Sequence, residues 1–86
     1  MHTDTDPAEI VRFLVETVAK SMVDKVSEVR VSSIKGQQTT VIELKVDPSD
    51  LGKIIGKQGK NAQAIRTILI GASAKLKLRT VLEILE

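Results

Sequence analysis

The chain has 86 residues, of which 42% are hydrophobic and 28% charged, and this length and composition allow one domain with a single modest core. They exclude a disordered chain, and no apolar run approaches the roughly 20 residues that a membrane-spanning helix needs. The absence of cysteine excludes disulfides, thiolate zinc sites and cysteine nucleophiles. Because the acidic N-terminus MHTDTDPAEI does not resemble a secretory signal, the sequence favours a cytoplasmic protein.

The formal net charge of +2 is distributed unevenly along the chain. Between Leu51 and Leu82 seven residues are basic and none is acidic, whereas the rest of the chain has six basic and eleven acidic residues. Sorting of this kind indicates a face that binds a polyanion, although an ordinary solvated lysine face would also account for it.

The first predicted element is a helix over about residues 7–23, preceded by a flexible tail at residues 1–6. Asp6, Pro7 and Glu9 are typical of a helix start, with a capping aspartate, a proline at the first helical position and a glutamate three residues after the cap. Apolar residues then recur at helical spacing. Among them is the single aromatic residue, Phe13, which we expect to lie in the core.

A β-hairpin is predicted next, with strands over about residues 27–35 and 38–46 and a turn at Lys35-Gly36-Gln37. The second strand, TTVIELKV, is rich in β-branched residues and alternates between apolar and polar positions. Such alternation is typical of a strand that is buried on one face.

Two more helices and a last strand complete the order α-β-β-α-α-β. Asp47-Pro48-Ser49-Asp50 predicts the start of a short helix that stops at Gly56, and helical spacing returns after Gly59 and continues to about residue 76. The basic connector KLKLR then leads into the strand TVLEILE. We therefore predict an α/β fold of the α+β kind, in one domain over residues 7–86.

The corner between these two helices, Gly56-Lys57-Gln58-Gly59, is the candidate site. Its glycines permit positive φ and leave no side chain to block a ligand, and the N–H groups at the start of the following helix are unpaired. A phosphate can therefore approach the main chain closely. Lys57 and Lys60 add positive charge at the corner, and Lys53 lies about one helical turn before it. A plain helix–helix turn is the alternative interpretation.

Catalysis has little support in the sequence. The single histidine, His2, lies in the predicted tail, and Asp47 and Asp50 are expected to cap a helix. The spacing of a nucleotide-binding P-loop is absent, and Ser49 and Ser73 have no candidate base near them in sequence. We predict no catalytic residue, no metal ligand and no cofactor.

The stronger rival function is a docking or dimerisation module. In the last strand Val81 and Leu85 point opposite to Leu82 and Ile84, so both faces carry apolar groups. A partner chain would cover the second face, although packing within one chain would do so too. A docking module, however, has no need of Lys57 or of a half without acidic residues.

The segment GKIIGKQGKNAQAIR resembles the signature of KH domains, and the element order matches their type II, prokaryotic arrangement. The stretch DPSDLGKIIGKQGKNAQAIRTIL is similar to the small bacterial single-KH RNA-binding proteins of the KhpA family. This resemblance covers roughly residues 8–86. It implies a three-stranded mixed sheet with helices on one face, whose middle strand is parallel to the last and antiparallel to the first. It also implies single-stranded RNA as a partner, together with either a second copy or a larger KH-containing protein.

The resemblance assigns roles to individual positions. Residues 56–59 match the loop that grips the backbone of about four nucleotides. One of Ile54 and Ile55 is expected to pack inward and the other to line the base groove, while the connector after the long helix flanks the other side of that groove. Ala62 is smaller than the aliphatic residue found there in many KH domains, which puts base selectivity in doubt. The predicted RNA-binding set is Lys53, Ile54, Ile55, Gly56, Lys57, Gln58, Gly59, Lys60, Ile65, Arg66, Lys75, Lys77 and Arg79.

The manner of binding also follows from composition. With one aromatic residue the chain cannot stack successive bases on rings, so base contacts must come from aliphatic packing and hydrogen bonds. We predict modest affinity, weak sequence preference and a log–log salt slope of about −2 to −3.5 if three to five phosphates are neutralised. The resemblance favours RNA, and the residues themselves also allow single-stranded DNA. The expected role is an RNA chaperone or post-transcriptional regulator, without a membrane or small-molecule substrate.

Overall fold

The computed structural model describes residues 6–86, which form three α-helices and three strands in the predicted order. The helices are α1 (Pro7–Lys20), α2 (Leu51–Ile55) and α3 (Lys60–Lys75). The strands are β1 (Arg30–Lys35), β2 (Thr40–Lys45) and β3 (Thr80–Ile84). Apart from Asp6, the predicted tail with His2 lies outside the described residues. None of the helices within residues 6–86 is long and apolar enough to cross a membrane.

The first helix begins at its predicted cap and ends earlier than predicted. An Asp6 carboxylate oxygen accepts the Ala8 N–H at 3.0 Å, and Pro7 occupies the first helical position. The helix ends at Lys20, where the Ser21 hydroxyl donates to the Val18 carbonyl at 2.6 Å. Serine hydroxyls that bond the main chain in this way compete with helix continuation. The prediction of a helix to residue 23 was therefore three residues too long.

The prediction that Phe13 lies in the core was wrong. Its side chain is 62% exposed, and the buried stripe of α1 consists instead of Ala8, Val11, Val15 and Ala19. Residues three and four apart share a helix face, so this stripe fixes which side meets the sheet. Phe13 is two residues from both Val11 and Val15, which places it on the far side of the helix.

The sheet has the order β1-β2-β3, with β2 in the centre. As the resemblance implied, β2 is antiparallel to β1 and parallel to β3, and the mixed sheet is confirmed. Ile42 and Leu44 of β2 are fully buried beneath α1 and α3. On the opposite face Ile34 and Val81 are 51% and 52% exposed, so residues 6–86 leave that face open.

The strands are shorter than predicted at their outer ends. Val26–Glu28 form one turn of 3-10 helix, which delays the start of β1 to Arg30, and β3 ends at Ile84. The core joins Ile54, Ile65 and Leu69 to the sheet. The edge strand β3 packs against α3. The corner between α2 and α3 and the end of β3 line one cavity, so they lie on the same side of the molecule.

Candidate nucleic-acid interface

The corner between α2 and α3 has an unusual main-chain conformation. Gly56 has φ 76° and ψ 172°, Gln58 has φ 57°, and Gly59 has φ 74° and ψ 14°. The Gly56 N–H donates to the Gly52 carbonyl at 2.8 Å, and the Gly59 N–H donates to the Gly56 carbonyl at 3.1 Å. Three of the four corner residues thus have positive φ, which side chains disfavour.

Asn61, which sequence reasoning missed, braces this corner. Its side-chain amide donates to the Lys53 carbonyl at 2.8 Å and so joins the first turn of α3 to α2. A Cβ atom on Gly56 would lie 2.6 Å from Asn61 Cγ, which is closer than real contacts allow. Glycine at position 56 is therefore required both by its backbone angles and by the packing of Asn61. The sequence carried no signal for this, because an asparagine early in a helix is an ordinary surface residue.

The start of α3 is open to an anion. Among residues 6–86 no side chain caps the helix at Gly59, but the Lys60 N–H donates to the Lys57 carbonyl, so the prediction that the N–H groups here are unpaired was wrong for Lys60. Lys57 and Lys60 are exposed, and neither forms an ion pair with any residue from 6 to 86. The positive end of the helix dipole and two lysines thus converge on one exposed main-chain segment.

Lys53 behaves differently from the other two lysines. Its ammonium lies 3.3 Å from a carboxylate oxygen of Asp24 and 3.3 Å from one of Asp50. Hydrogen bonds to Asp50 and then Asp24 raise the pKa of Lys53. Because two carboxylates compensate its charge, Lys53 contributes less positive potential than the sequence suggested.

Asp50 holds the start of α2 in place. Its carboxylate is 1% exposed and accepts the N–H groups of Lys25 at 3.0 Å and Asp24 at 3.3 Å. The bond from the Lys25 N–H is the main cause that lowers the pKa of Asp50. The predicted helix cap is thus a tertiary contact to the chain after α1, whereas Asp47 caps locally by accepting the Ser49 N–H at 2.9 Å.

A groove runs from the corner along α3 and the edge of β3. Three adjoining cavities form it: the first shares Arg66 with the second, and the second shares Ile70 and Thr80 with the third. At about 1.5 Å per residue, the 16 residues of α3 give it a length of roughly 24 Å. The groove is lined from the corner onward by Ile55, Gly59, Ala62, Arg66, Leu82, Glu83, Ile84, Glu86, Leu69, Ile70, Thr80, Val81, Ser73, Ala74, Leu78 and Arg79.

The edge of β3 offers main-chain hydrogen-bonding groups to this groove. The Arg79 carbonyl accepts from the Thr40 N–H and the Leu85 N–H donates to the Leu44 carbonyl, both at 2.8 Å, so odd-numbered residues bond to β2. Strand geometry alternates, so the N–H and C=O groups of Thr80, Leu82 and Ile84 face the open edge.

The structure sorts the predicted site residues into groups. Ile55, at 36% exposure, lines the groove next to Gly59, while Ile54 and Ile65 are 0% and 3% exposed. Of the isoleucine pair, Ile54 is thus the inward one. The side chains of both Ile54 and Ile65 belong to the core and lie beneath the site. At the corner are Gly56, Lys57, Gln58, Gly59 and Lys60; Arg66 lies midway, and Lys75, Lys77 and Arg79 lie at the far end of α3.

Two acidic residues near the corner were also missed. Glu83 and Glu86 line the groove beside Gly59 and Arg66, directly after the acid-free part of the chain. They set a limit on how far a polyanion can be attracted along β3. No group of three or more acidic or histidine side chains suited to a metal ion occurs among residues 6–86.

Comparison with known proteins decides the family. Residues 12–84 match the KH domain of KhpA/KhpB. The chain belongs to this family. The RNA-binding protein KhpA of Aquifex aeolicus is 56% identical over 73 residues, which cover 85% of this chain and 92% of that protein. The RNA-binding protein KhpA of Clostridium acetobutylicum is 53% identical over 72 residues, covering 84% and 96%.

Solved structures of Era share the fold. Crystal structures of Era with MgGDPNP and a segment of 16S ribosomal RNA, and of Aquifex aeolicus Era bound to GDP and AlF4−, match with TM-scores of 0.66 and 0.65. Each is 23% identical, and each match covers 98% of this chain and 32% of the Era chain. The present chain thus spans about a third of Era, and the likeness shows the KH fold alone.

Proposed function

We propose that this KhpA/KhpB-family protein binds single-stranded RNA, with the corner at residues 56–59 as a clamp on the sugar–phosphate backbone. The observation that carries the proposal is the start of α3, which no side chain of residues 6–86 caps and which lies beside three positive-φ residues and two lysines that form no ion pair within that range. A phosphate at this point accepts main-chain N–H groups that no side chain satisfies. The names of the KhpA relatives, which are RNA-binding proteins, support the same assignment.

The groove then receives the bases that follow the clamped phosphates. Ile55 and the half-buried Ile84 provide aliphatic surface near the corner. The outward N–H and C=O groups of β3 provide donors and acceptors for base edges, and the half-buried Arg66 adds charge midway. Phe13 is on α1 and not among the residues that line the groove, so no aromatic ring stacks a base there. Base preference is therefore weak, and phosphates supply most of the attraction.

Such binding suits an RNA chaperone or post-transcriptional regulator that acts in the cytoplasm without a cofactor or catalysis. Modest, salt-dependent affinity lets a small protein engage and release many RNA strands. The clamp contacts groups that DNA also has, so discrimination against single-stranded DNA rests on the 2′-hydroxyl. A labelled DNA strand of matching sequence tests that preference directly.

The test is fluorescence anisotropy of a labelled, randomised short RNA at two salt concentrations. Lys57→Asp combined with Gln58→Asp changes the net charge by −3 at the corner. The matched control is Lys25→Asp combined with Ser27→Asp, which makes the same change at exposed positions before β1. Circular dichroism checks that all three proteins fold.

We expect the corner variant to lose binding and the control to retain most of it. Equal binding by the two variants would mean that net charge, and not the corner, attracts the RNA. If the wild-type protein does not bind the RNA, the corner is only a helix–helix turn and the proposal is wrong.

A second candidate function, self-association, is favoured by exposed apolar residues on the helices. Ile10 and Phe13 of α1 and Ile68 of α3 are 42%, 62% and 46% exposed, and the two helices pack against each other. Two copies would bring two clamps together and raise avidity for one RNA. Light scattering after size exclusion gives the mass: a dimer that Phe13→Glu converts to a monomer supports this function, and a monomer at every concentration contradicts it.

A further inference from the structure

A second basic concavity lies beyond the far end of the groove, at the turn of the β-hairpin. Gln38 of the hairpin and Lys77 and Arg79 of the α3–β3 connector line one side of it. Its continuation is lined by the same three residues together with Lys35 and Gln37. We call these five residues the hairpin-end site. Sequence reasoning assigned a role to Lys77 and Arg79 but none to the three hairpin residues.

The backbone that presents the connector side of this site is firmly held. The Leu78 N–H donates to the Ser73 carbonyl at 2.9 Å, and the Arg79 carbonyl accepts from the Thr40 N–H at 2.8 Å. The hydroxyls of Ser73 and Thr80 are 2.7 Å apart and share a hydrogen bond. Lys77 and Arg79 therefore project from a fixed loop, and neither forms an ion pair within residues 6–86.

The hairpin side is equally fixed, and its lysine is engaged by an acidic residue. The Gly36 N–H donates to the Thr39 carbonyl at 2.8 Å, which closes the turn. Lys35 forms an ion pair with Asp6, the residue that caps α1. The hydrogen bond from Lys35 is the main cause that lowers the pKa of Asp6. Asp6 is thus paired with the lysine that a bound phosphate would contact.

We propose that the bound RNA strand continues past the groove and that the hairpin-end site holds a further phosphate, which competes with the Asp6 carboxylate for Lys35. This inference rests on the proposed RNA binding and extends its footprint. The groove is roughly 24 Å long, which would hold about seven nucleotides at the duplex rise of about 3.4 Å and fewer of a more extended strand. A strand of eight nucleotides reaches from the corner to Lys35, whereas a strand of four fills the corner end.

The test compares labelled oligouridines of four and eight nucleotides in anisotropy titrations. Lys35→Gln removes the phosphate-binding charge, and Asp6→Asn removes the competing anion while keeping a good helix cap. The chain offers close controls in Lys25→Gln and Asp47→Asn. Lys25 has the same 57% side-chain exposure as Lys35, and Asp47 is likewise a helix cap paired with its lysine. Thermal unfolding followed by circular dichroism verifies each fold.

We expect Lys35→Gln to weaken the eight-nucleotide complex about fivefold at 0.1 M salt and to reduce its salt slope by about 0.7, as for one lost phosphate contact. Asp6→Asn strengthens the same complex. Neither variant changes the four-nucleotide complex, and the controls change neither. A longer strand can bind in more positions along the site, which raises its apparent affinity. This increase is the same for wild type and variants, so it cancels when their affinities for one RNA are compared.

Two outcomes overturn the inference. If Lys35→Gln and Lys25→Gln change the affinity for the eight-nucleotide RNA equally, the effect comes from net charge and not from the hairpin-end site. Equal effects of Asp6→Asn and Asp47→Asn would lead to the same conclusion. If the wild-type protein binds both RNA lengths with the same salt slope, the RNA contacts end within the groove. This outcome would leave the proposed corner clamp unaffected. If Lys35→Gln fails to fold, Asp6→Asn still decides the matter by its opposite sign. Absence of any wild-type binding would contradict the proposed function itself.

Discussion

The two ends of the groove present opposite designs. At the corner the proposed binding groups are main-chain N–H groups, held in position by positive φ at residues 56, 58 and 59 and by the Asn61 brace. At the far end and just beyond it they are the side-chain charges of Arg79 and Lys77, which project from the α3–β3 connector, where only Lys77 has positive φ. Backbone geometry should therefore control binding at the corner, and the number of charges should control it at the far end.

The largest expected effect is that of Gly56→Ala. Gly56 combines φ 76° with ψ 172°, a region that essentially only glycine adopts, and a Cβ there meets Asn61 at 2.6 Å. We expect a loss of roughly 2–4 kcal/mol in the free energy of unfolding and a loss of RNA binding of more than about 50-fold. Gly59→Ala is the matched comparison, because Gly59 lies near the left-handed helical region with nothing within 4 Å of a new Cβ. It should cost about 1 kcal/mol.

Thermal denaturation and anisotropy on the same samples measure both quantities. Adding Asn61→Ala to Gly56→Ala removes the collisions with Cγ and Nδ2 of residue 61, but it leaves the collision with its Cβ at 2.8 Å and the backbone strain, so stability should recover only in small part. Equal losses for the two glycine variants would show that the corner has no special geometry at Gly56.

A smaller effect is expected at the far end from Lys77→Gln combined with Arg79→Gln. Two lost phosphate contacts should reduce the salt slope of binding by about 1.4 and weaken the complex roughly 20-fold at 0.1 M salt. The free energy of unfolding should hardly change, because both side chains are exposed and without ion pairs in residues 6–86. Anisotropy titrations at four salt concentrations give the slope. An unchanged slope would remove the far end from the interface.

The smallest effect on binding is expected from Asp50→Asn. This substitution removes the carboxylate that holds the start of α2 and so affects the corner only indirectly. Since the folded state lowers the pKa of Asp50, its carboxylate stabilises the fold at neutral pH, and this contribution is lost as pH falls below about 4. The variant should melt on the order of 5–10 °C lower at pH 7, and the gap should narrow toward pH 3. Melting curves across this range measure it. A gap that stays constant with pH would mean that the charge of Asp50 does not hold α2.

Much of the fold could be predicted from the sequence because its signals are local. Asp6 and Asp47 cap helices by bonding to N–H groups two residues away, and such caps can be recognised without tertiary structure. The positive φ angles at Gly56 and Gly59 could likewise be predicted, because glycine adopts such angles readily. The boundaries of α1 and β1 were less accurate, since Ser21 and the turn at Val26–Glu28 compete with regular structure at the ends.

The parts of the site that prediction missed depend on contacts across the chain. Asp50 is only three residues from Lys53, but the contacts of Asp24 with Lys53 and Asp50 join segments 29 and 26 residues apart, and no short sequence window contains both sides. The same holds for Lys35 and Lys77, which line one concavity although they are far apart in sequence. Phe13 matched a helical apolar repeat, but a repeat does not say which of its members the sheet covers.

The sequence by itself determined the order of elements, the helix caps and the open corner with its lysines, because hydrogen bonds and φ preferences act over a few residues. Only the tertiary structure decided which isoleucine of the pair at 54 and 55 faces the groove, which lysines within residues 6–86 lack an acidic partner, and where the groove leads. Those properties depend on burial and on the distances between charges, and both are set by segments that meet only when the sheet and its helices pack together.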